Sequence, residues 1–239
     1  MKKKLTYTQK LFSEFCAIMF LLIASSCINR GRDFKDIFGQ KYLEAEEYLD
    51  NNKWIKDSIA KCGVDPHLAI SVVFPELIRY SAVKDLVETR GLEVLYTQYG
   101  SEYADFSIGR FQMKPSFANR LENDWNLLLN NLPLNCNIKP FELSDNPEAR
   151  IQRLMRLKDE KWQVKYLAMF LKIINLKHKI DLNNISFLAS AYNSGYWNDS
   201  IAIIEKGKRN FFYTGLIKSN EVYNYSEISE YYYKKNCRK

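Results

Sequence analysis

A single glutamate, Glu76, stands at the end of an apolar run that extends from Leu68 to Pro75 and resumes at Leu77. A carboxylate among apolar neighbours is partly dehydrated, and because dehydration disfavours the charged form, the pKa of the carboxyl group rises. A carboxyl group that is still protonated near neutral pH can donate a proton to a leaving group. Glu76 is therefore a candidate general acid. The alternative is a solvated residue on the polar edge of a helix.

Two later segments carry polar groups that could hold a substrate. The first spans residues 105–116 and contains Gly109, which permits a close approach to the backbone, and Gln112, whose amide both donates and accepts hydrogen bonds. The second is Ala-Tyr-Asn-Ser-Gly at residues 191–195. Taken alone, the first is a loop-to-helix junction and the second is typical of a helix C-cap.

The order of the three segments resembles the lytic transglycosylase domain of the soluble (SLT) type, a family with the goose-type lysozyme fold. A glutamate at a helix end is followed by Gly-x-x-Gln-x-x-Pro and then by Ala-Tyr-Asn-x-Gly, and the resemblance covers residues 64–205. The last motif is the most specific, and it is matched by Ala191, Tyr192, Asn193 and Gly195.

The chain also departs from the family pattern. In the middle motif, usually Gly-Leu-Met-Gln, Arg110 and Phe111 replace the Leu and the Met, and Leu77 replaces the Ser that usually follows the glutamate. Glu76 and Gln112 are 36 positions apart, a longer separation than the family leads us to expect, and the extra length holds a predicted helix.

The resemblance implies an enzyme that cleaves the β-1,4 bond between N-acetylmuramic acid and N-acetylglucosamine in peptidoglycan. Glu76 would protonate the glycosidic oxygen and then, as a carboxylate, take the proton from the muramic 6-hydroxyl, which closes a 1,6-anhydro ring. Tyr192 would orient Glu76 through its hydroxyl, Gln112 and Asn193 would hold sugar amides and hydroxyls, and Gly109 would let the glycan approach the backbone. No metal or organic cofactor is implied.

Two other functions remain open. A hydrolytic muramidase on the same fold would need a second carboxylate, about 6.5–9.5 Å from the acid, to activate water. The candidates by sequence position are Glu88, Glu93, Glu102 and Asp105. Leu77 and the altered middle motif also fit a non-catalytic peptidoglycan-binding lipoprotein.

Helix signals dominate the elements that must position these residues. We expect an amphipathic helix over residues 40–61, and a second helix that starts at Asp65-Pro66 and runs toward Tyr80. Pro75 lacks an amide donor, so we expect a kink or a break just before Glu76. The candidate core positions of the first helix are Tyr42, Leu43, Leu49, Trp54, Ile55 and Ile59.

The remaining elements are also predicted to be helical. The expected helices cover residues 82–98, 115–130, 147–177, 184–193 and 197–206, and residues 223–239 form either a closing helix or a surface tail. In the long helix, the spacing predicts burial of Ile151, Leu154, Leu157, Trp162, Tyr166, Phe170 and Ile173. The fold class is all-α, or α with a minor strand pair, in a lysozyme-like domain with a substrate groove.

The N-terminus has the pattern of an export signal. Lys2, Lys3, Lys4 and Lys10 precede an apolar stretch that is too short for a stable membrane span, and small residues then lead to Cys27. This pattern predicts a lipoprotein signal peptide over residues 1–26 and lipidation of Cys27, and the alternative is ordinary cleavage that leaves Cys27 as a thiol.

These features predict a tether over residues 27–39 and a catalytic domain over residues 40–239. We expect the chain to be lipid-anchored in the cell envelope, on the periplasmic face of the outer membrane. Its partners would be peptidoglycan glycan strands and, through Cys27, the membrane.

Composition narrows the function classes further. Without residues 1–26, the remaining 213 residues carry a net charge of +4, which suits an anionic wall or membrane surface but does not indicate nucleic-acid binding. Cys62, Cys136 and Cys237 would allow one disulfide in an oxidising compartment, and the sequence does not select the pair. With two histidines and no Cys-x-x-Cys, a structural zinc site is not expected.

Overall fold

The computed structural model describes residues 32–128, 138–142, 144–179, 184–215 and 221–236. The predicted signal peptide, Cys27, Cys136 and Cys237 lie outside these residues, so lipidation of Cys27 stays a prediction. The chain divides into two units, residues 1–37 and residues 38–239. No helix in the described part of the chain is long and apolar enough to cross a membrane.

The prediction of a mainly helical fold with a minor β element is confirmed. The helices are α1 (Phe34–Phe38), α2 (Gln40–Asn51), α3 (Trp54–Lys61), α4 (Pro66–Arg79), α5 (Ala82–Gly91), α6 (Thr97–Tyr99), α7 (Pro115–Leu128), α8 (Pro147–Lys158), α9 (Glu160–His178), α10 (Ile185–Ser194), α11 (Ser200–Gly207) and α12 (Tyr225–Asn236). A π-helical turn, Leu92–Tyr96, joins α5 to α6. The strands are β1 (Asn210–Phe212) and β2 (Tyr223–Asn224), which pair antiparallel.

Two helices occupy the centre of the main unit. Every residue of α4 from Leu68 to Ile78 is buried, and the helix packs against α2, α3, α10 and α12. Helix α9 packs against α3, α7 and α8. A helix that is apolar all round belongs in the interior, so Glu76, near the C-terminal end of α4, is enclosed by the core.

The predicted start of α4 is confirmed in its details. The Asp65 carboxylate accepts a hydrogen bond from the His67 amide at 2.8 Å, and Pro66 occupies the first turn, where its missing amide has no helical partner to lose. This cap fixes where α4 begins and therefore which turn carries Glu76.

The prediction of one continuous helix over residues 40–61 is wrong. The chain forms α2 and α3, and the break falls at Asn52, whose Nδ2 donates to the Tyr48 carbonyl at 2.8 Å and whose Oδ1 accepts from Trp54 Nε1 at 3.0 Å. Local bonds of this kind compete with helical hydrogen bonds. Leu43, a predicted core residue, is 43% exposed.

The long helix predicted over residues 147–177 is also two helices, α8 and α9. Asp159 adopts an extended conformation, and its carboxylate accepts a hydrogen bond from the Lys161 amide at 2.9 Å, so it caps a new helix rather than continuing the old one. Ile151, expected in the core, is 44% exposed.

The C-terminal segment forms a closing helix rather than a surface tail. Helix α12 packs against α4 and α10, and the β1–β2 pair, with Phe212 opposite Tyr223, precedes it. Helix α12 therefore contacts α4, the helix that carries Glu76. Cys62 is disulfide-bonded.

Candidate active site

A cavity of about 200 Å³ lies beside the C-terminal end of α4. It collects side chains from α4, from the loop before α7, from α7 itself, and from the end of α10 with the turn that follows. The lining residues are Glu76, Arg79, Asp105, Ser107, Gln112, Met113, Lys114, Ser116, Phe117, Tyr192, Asn193, Ser194, Gly195 and Trp197. Four of the predicted site residues, Glu76, Gln112, Tyr192 and Asn193, therefore face one cavity.

Glu76 is 2% exposed and forms an ion pair with Arg79, one turn further along α4. Arg79 Nη2 lies 2.6 Å from Glu76 Oε2, and Arg79 Nε donates to the same oxygen at 2.9 Å. Burial, the largest single influence, works to lower the pKa of Arg79, but the Glu76 carboxylate together with Tyr225 and Tyr213 raises it above its ordinary value, so Arg79 stays charged. The candidate acid thus has a fixed cation as its immediate neighbour.

Burial raises the pKa of the Glu76 carboxyl group above its ordinary value. Arg79, the Tyr225 hydroxyl and Lys84 oppose this rise because each favours the charged form. The prediction of a raised pKa, made from the apolar neighbours alone, therefore agrees in direction and in cause. A raised pKa is the property that a general acid requires near neutral pH.

Helix α4 continues through Pro75 to Arg79, so a break before Glu76 does not occur. Pro75 cannot donate to the carbonyl of Ser71, four residues earlier. At the neighbouring carbonyl, Val72, the Tyr225 hydroxyl of α12 donates a hydrogen bond at 3.1 Å. Packing of α12 against α4 therefore supports the helix where the proline weakens it.

Tyr192 does not orient Glu76 through its hydroxyl, contrary to the prediction. That hydroxyl donates to the Phe111 carbonyl at 2.7 Å, and it has only one proton to give. The bond ties α10 to the loop that carries Gln112. Tyr225 is better placed for the expected role, since its hydroxyl lies within hydrogen-bonding reach of both the Glu76 carboxylate and the Val72 carbonyl and can give its one proton to either.

Gly109 lies outside the cavity lining, so its predicted role in admitting the glycan is wrong. Its φ is +75°, and a Cβ at this position would fall 1.5 Å from Gln163 Nε2 of α9. The Gly109 amide donates to Asp85 Oδ1 at 2.5 Å. Glycine is required here because the Gln163 side chain, rather than a substrate, approaches the backbone.

Gln112 has a positive φ of 49°, and its side-chain Nε2 donates to the Gly109 carbonyl at 2.9 Å. On either side of this turn, Ile108 and Met113 form an isolated antiparallel bridge. The tight turn fixes the amide of Gln112 at the cavity wall, where it can meet a polar group of a substrate.

The two departures in the middle motif have structural roles. The Arg110 guanidinium lies between the rings of Tyr48 and Tyr80, at 4.4 and 4.1 Å from their centroids, and 3.6 Å from Glu160. Phe111 is 2% exposed, and its amide donates to Gln163 Oε1 at 3.0 Å. Both residues anchor the loop to neighbouring helices.

One of the four candidate second carboxylates, Asp105, lines the cavity. Its Oδ1 accepts from the Ser116 amide at 2.9 Å and its Oδ2 from the Ser116 hydroxyl at 2.6 Å, so it also caps the start of α7. Glu88 forms an ion pair with Lys84. Glu93 bonds to Arg90 and Lys158 on the surface.

Sequence reasoning missed Arg79, Tyr225 and Trp197. Arg79 had a local signal, since it lies three positions after Glu76, where helical side chains meet. Tyr225 had no local sequence signal, because only the packing of α12 against α4 brings it close to Glu76. Trp197 is 36% exposed, and its ring lies over Gly195, where a Cβ would come within 2.7 Å of the indole.

Among the described residues, no three His, Cys, Asp or Glu side chains lie together as a metal site. The chemistry that these groups can perform is proton transfer by Glu76, with amide and hydroxyl groups from three other segments to hold a polar ligand. No protein-family model, curated protein or solved structure matches the chain, so the assignment of a function rests on this site and on the motif resemblance.

Proposed function

We propose that the protein is a peptidoglycan lytic transglycosylase that cleaves the β-1,4 bond between N-acetylmuramic acid and N-acetylglucosamine. The main observation in support of this proposal is that Glu76, Gln112, Tyr192 and Asn193 line one cavity. They come from three segments of the chain that lie far apart in sequence and are the segments of the motif resemblance. Glu76 is also buried, with a raised carboxyl pKa.

Glu76 performs both proton transfers in this mechanism. The protonated carboxyl group gives its proton to the glycosidic oxygen as the bond from the anomeric carbon breaks. The carboxylate then removes the proton from the muramic 6-hydroxyl as that oxygen bonds to the anomeric carbon. Glu76 ends the cycle protonated again, and no water is consumed. The substrate's acetamido group stabilises the cationic intermediate, as in glycosidases that lack a second carboxylate.

The chain's other residues bind and position. Gln112 and Asn193 hold sugar amides and hydroxyls, Tyr225 and Arg79 hold Glu76, and Tyr192 fixes the loop that carries Gln112. We further propose that the enzyme works in the cell envelope, anchored through a lipid on Cys27 to the periplasmic face of the outer membrane. It needs no cofactor, and its partners are glycan strands and the membrane.

A hydrolytic muramidase is the second candidate, because Asp105 lines the same cavity. Its carboxylate could activate a water for attack on the anomeric carbon. Both Asp105 oxygens already accept hydrogen bonds from Ser116, which favours the capping role over the role of a base.

Product analysis separates the two reactions. We expect purified sacculi digested with the protein to release fragments that end in 1,6-anhydro-N-acetylmuramic acid, which weigh one water less than the hydrolysis products and resist borohydride reduction. Mass spectrometry before and after reduction measures both properties. Release of reducible muramic ends alone would exclude the transglycosylase and favour the muramidase with Asp105 as base.

Replacing Tyr225 with Phe should slow cleavage through its effect on Glu76. The hydroxyl lowers the pKa of Glu76, so its loss raises that pKa further. Because a general acid loses activity as pH rises through its pKa, the alkaline limb of the kcat profile should move to higher pH, while kcat at its maximum falls by about tenfold through poorer positioning.

Tyr232→Phe is the matched control, because Tyr232 lies on the same helix and its ring stacks on Phe74 at 3.7 Å, a contact that Phe keeps. This variant should keep the wild-type pH profile. An unshifted profile in Tyr225→Phe would show that the hydroxyl supports only the backbone of α4.

A further inference from the structure

The Glu76–Arg79 ion pair presents a chemical difficulty for the proposed function, on which this inference rests. A general acid must carry a proton when the substrate is bound, whereas a guanidinium 2.6 Å from the carboxylate favours loss of that proton. Burial keeps the pKa of the Glu76 carboxyl group above its ordinary value, but the pair lowers the fraction of Glu76 that carries the proton needed to start the reaction.

Arg79 has a buried side and a cavity side. On the buried side it meets Glu76, and its guanidinium carbon lies 5.7 Å from the centroid of the Phe212 ring. On the other side it lines the cavity, and its side chain is 24% exposed. A group that enters the cavity can therefore reach the guanidinium without displacing the core.

The charged and titratable groups that face Glu76 come from four helices. They are Arg79 on α4, Lys84 on α5, Tyr192 on α10 and Tyr225 on α12. Burial and the Glu76 charge raise the pKa of both tyrosines well above the ordinary value, so they stay neutral. Arg79 is the cation in direct contact, and its release changes the state of Glu76 most.

The group best suited to draw Arg79 away is a carboxylate, because the guanidinium fork binds carboxylates with two parallel hydrogen bonds. The cavity offers a second cation, Lys114, whose side chain is 53% exposed and lies 3.9 Å from Asp105. Each of these cations is paired with a carboxylate of the lining, so an anionic group of a substrate would compete with Glu76 for Arg79 and with Asp105 for Lys114. Peptidoglycan strands carry carboxylates on their peptides and, once the peptides are removed, on the muramic lactyl groups.

We propose that Arg79 holds Glu76 as an ion pair in the empty site and turns to a carboxylate of the incoming glycan strand, which frees Glu76 to take up from solvent the proton that it then donates. Binding of a carboxylate-bearing strand raises the protonated fraction of Glu76, and a strand without free carboxylates leaves Glu76 paired with Arg79. Arg79 is in this sense a positioning residue that also selects anionic strands.

The test compares three substrates with the full chain: native glycan strands, strands stripped of peptides by an amidase, and strands whose carboxylates are capped as amides. The wild-type protein should lose activity on capped strands by about tenfold at neutral pH, with the alkaline limb of its kcat profile, which reports the substrate-bound enzyme, about one pH unit lower. In Arg79→Met the limb should lie at the same pH for native and capped strands.

The control variant is Lys84→Met, which removes a cation that faces Glu76 without lining the cavity, and which should keep the dependence on capping. Arg79→Lys retains the positive charge but lacks the forked guanidinium, so its rate should depend less on whether the carboxylates are capped. Stripped strands distinguish the two sources, because the lactyl carboxylate is free only in them. Wild-type rates equal to those on native strands indicate that the lactyl carboxylate can replace the peptide carboxylates, and rates equal to those on capped strands indicate that only peptide carboxylates serve.

The inference is overturned if wild-type profiles on native and capped strands coincide, a result that needs no variant to fold. It is overturned also if Arg79→Met keeps the wild-type difference. Absence of anhydro products from every substrate would instead refute the proposed function itself.

Discussion

Replacement of Glu76 by Gln should reduce the release of anhydro-muropeptides from sacculi by about 10²–10⁴-fold, the usual contribution of a general acid. Gln has nearly the same shape and cannot exchange a proton, so the variant removes the proton transfers with little change in packing. Glu76 is 2% exposed in the central helix. Burial raises the pKa of its carboxyl group, which favours the protonated form that a proton donor needs. Fragment release, followed by chromatography at several times, measures the loss.

Glu88→Gln is the matched control. Glu88 is also partly buried, burial raises the pKa of its carboxyl group, and it forms an ion pair with Lys84, yet it does not line the cavity. This variant should cleave at the wild-type rate. If the wild-type protein and Glu76→Gln both release only background amounts, the protein is a wall-binding lipoprotein rather than an enzyme, and sedimentation with sacculi would then report its binding.

The sequence predicted the parts of the site that depend on local patterns. Asp65 and Pro66 set the start of α4, and with it the turn on which Glu76 lies. The loop-to-helix junction that holds Gln112 and the helix end at Asn193 place these polar groups at element boundaries, which is where a cavity between helices is open. Each of these assignments needed only the neighbouring residues.

The contacts between distant segments could not be predicted in the same way. The hydroxyl of Tyr192 was expected to reach Glu76, but a hydroxyl bonds to whichever acceptor packing brings near, and here that is the Phe111 carbonyl. Gly109 was read as an opening for substrate, whereas its space is filled by Gln163 from α9. Tyr225 lies 149 positions from Glu76, so nothing local connects them.

The number of helices was predicted wrongly for a different reason. Hydrophobic spacing continues across Asn52 and Asp159, because helices that follow each other can keep similar apolar faces. Only the side-chain caps at these residues reveal the breaks, and Asn and Asp also occur within helices. The prediction of a mainly helical fold is unaffected by these errors. It depends on the spacing of apolar residues and not on whether two neighbouring helices are continuous.

Replacement of Glu122 by Gln should destabilise the fold by about 3–5 kcal/mol, the usual effect of removing one partner from a buried ion pair. Glu122 on α7 is fully buried, and it accepts from Arg153 Nε at 2.8 Å, from Arg156 Nη2 at 2.9 Å and from the Tyr166 hydroxyl. Two arginines share this one carboxylate, and Arg153 is itself 1% exposed. A neutral amide removes the buried carboxylate that both arginines share, and leaves Arg153 with Asp145, 3.8 Å away, as its remaining carboxylate.

At about 2–4 °C per kcal/mol for a domain of this size, the Tm should fall by roughly 6–20 °C. Glu148→Gln, an exposed residue in the first turn of α8, is the control and should change the stability by about 0.5 kcal/mol or less. Thermal melts followed by far-UV circular dichroism measure both. A fall in Glu122→Gln no larger than in the control would mean that the arginines find other partners or water.

The same experiment tests whether the network supports the site. Arg153 Nη1 donates to the Tyr96 hydroxyl at 2.7 Å, so the network joins α7, α8 and α9 to the π-helical turn after α5. Helix α7 carries Ser116 and Phe117 into the cavity, but no member of the network lines it. Because the network acts on the folded population and not on the proton transfers, Glu122→Gln should keep the wild-type kcat well below its lowered Tm and lose activity only as it unfolds. A reduced kcat at low temperature would show instead that the network positions α7 for catalysis.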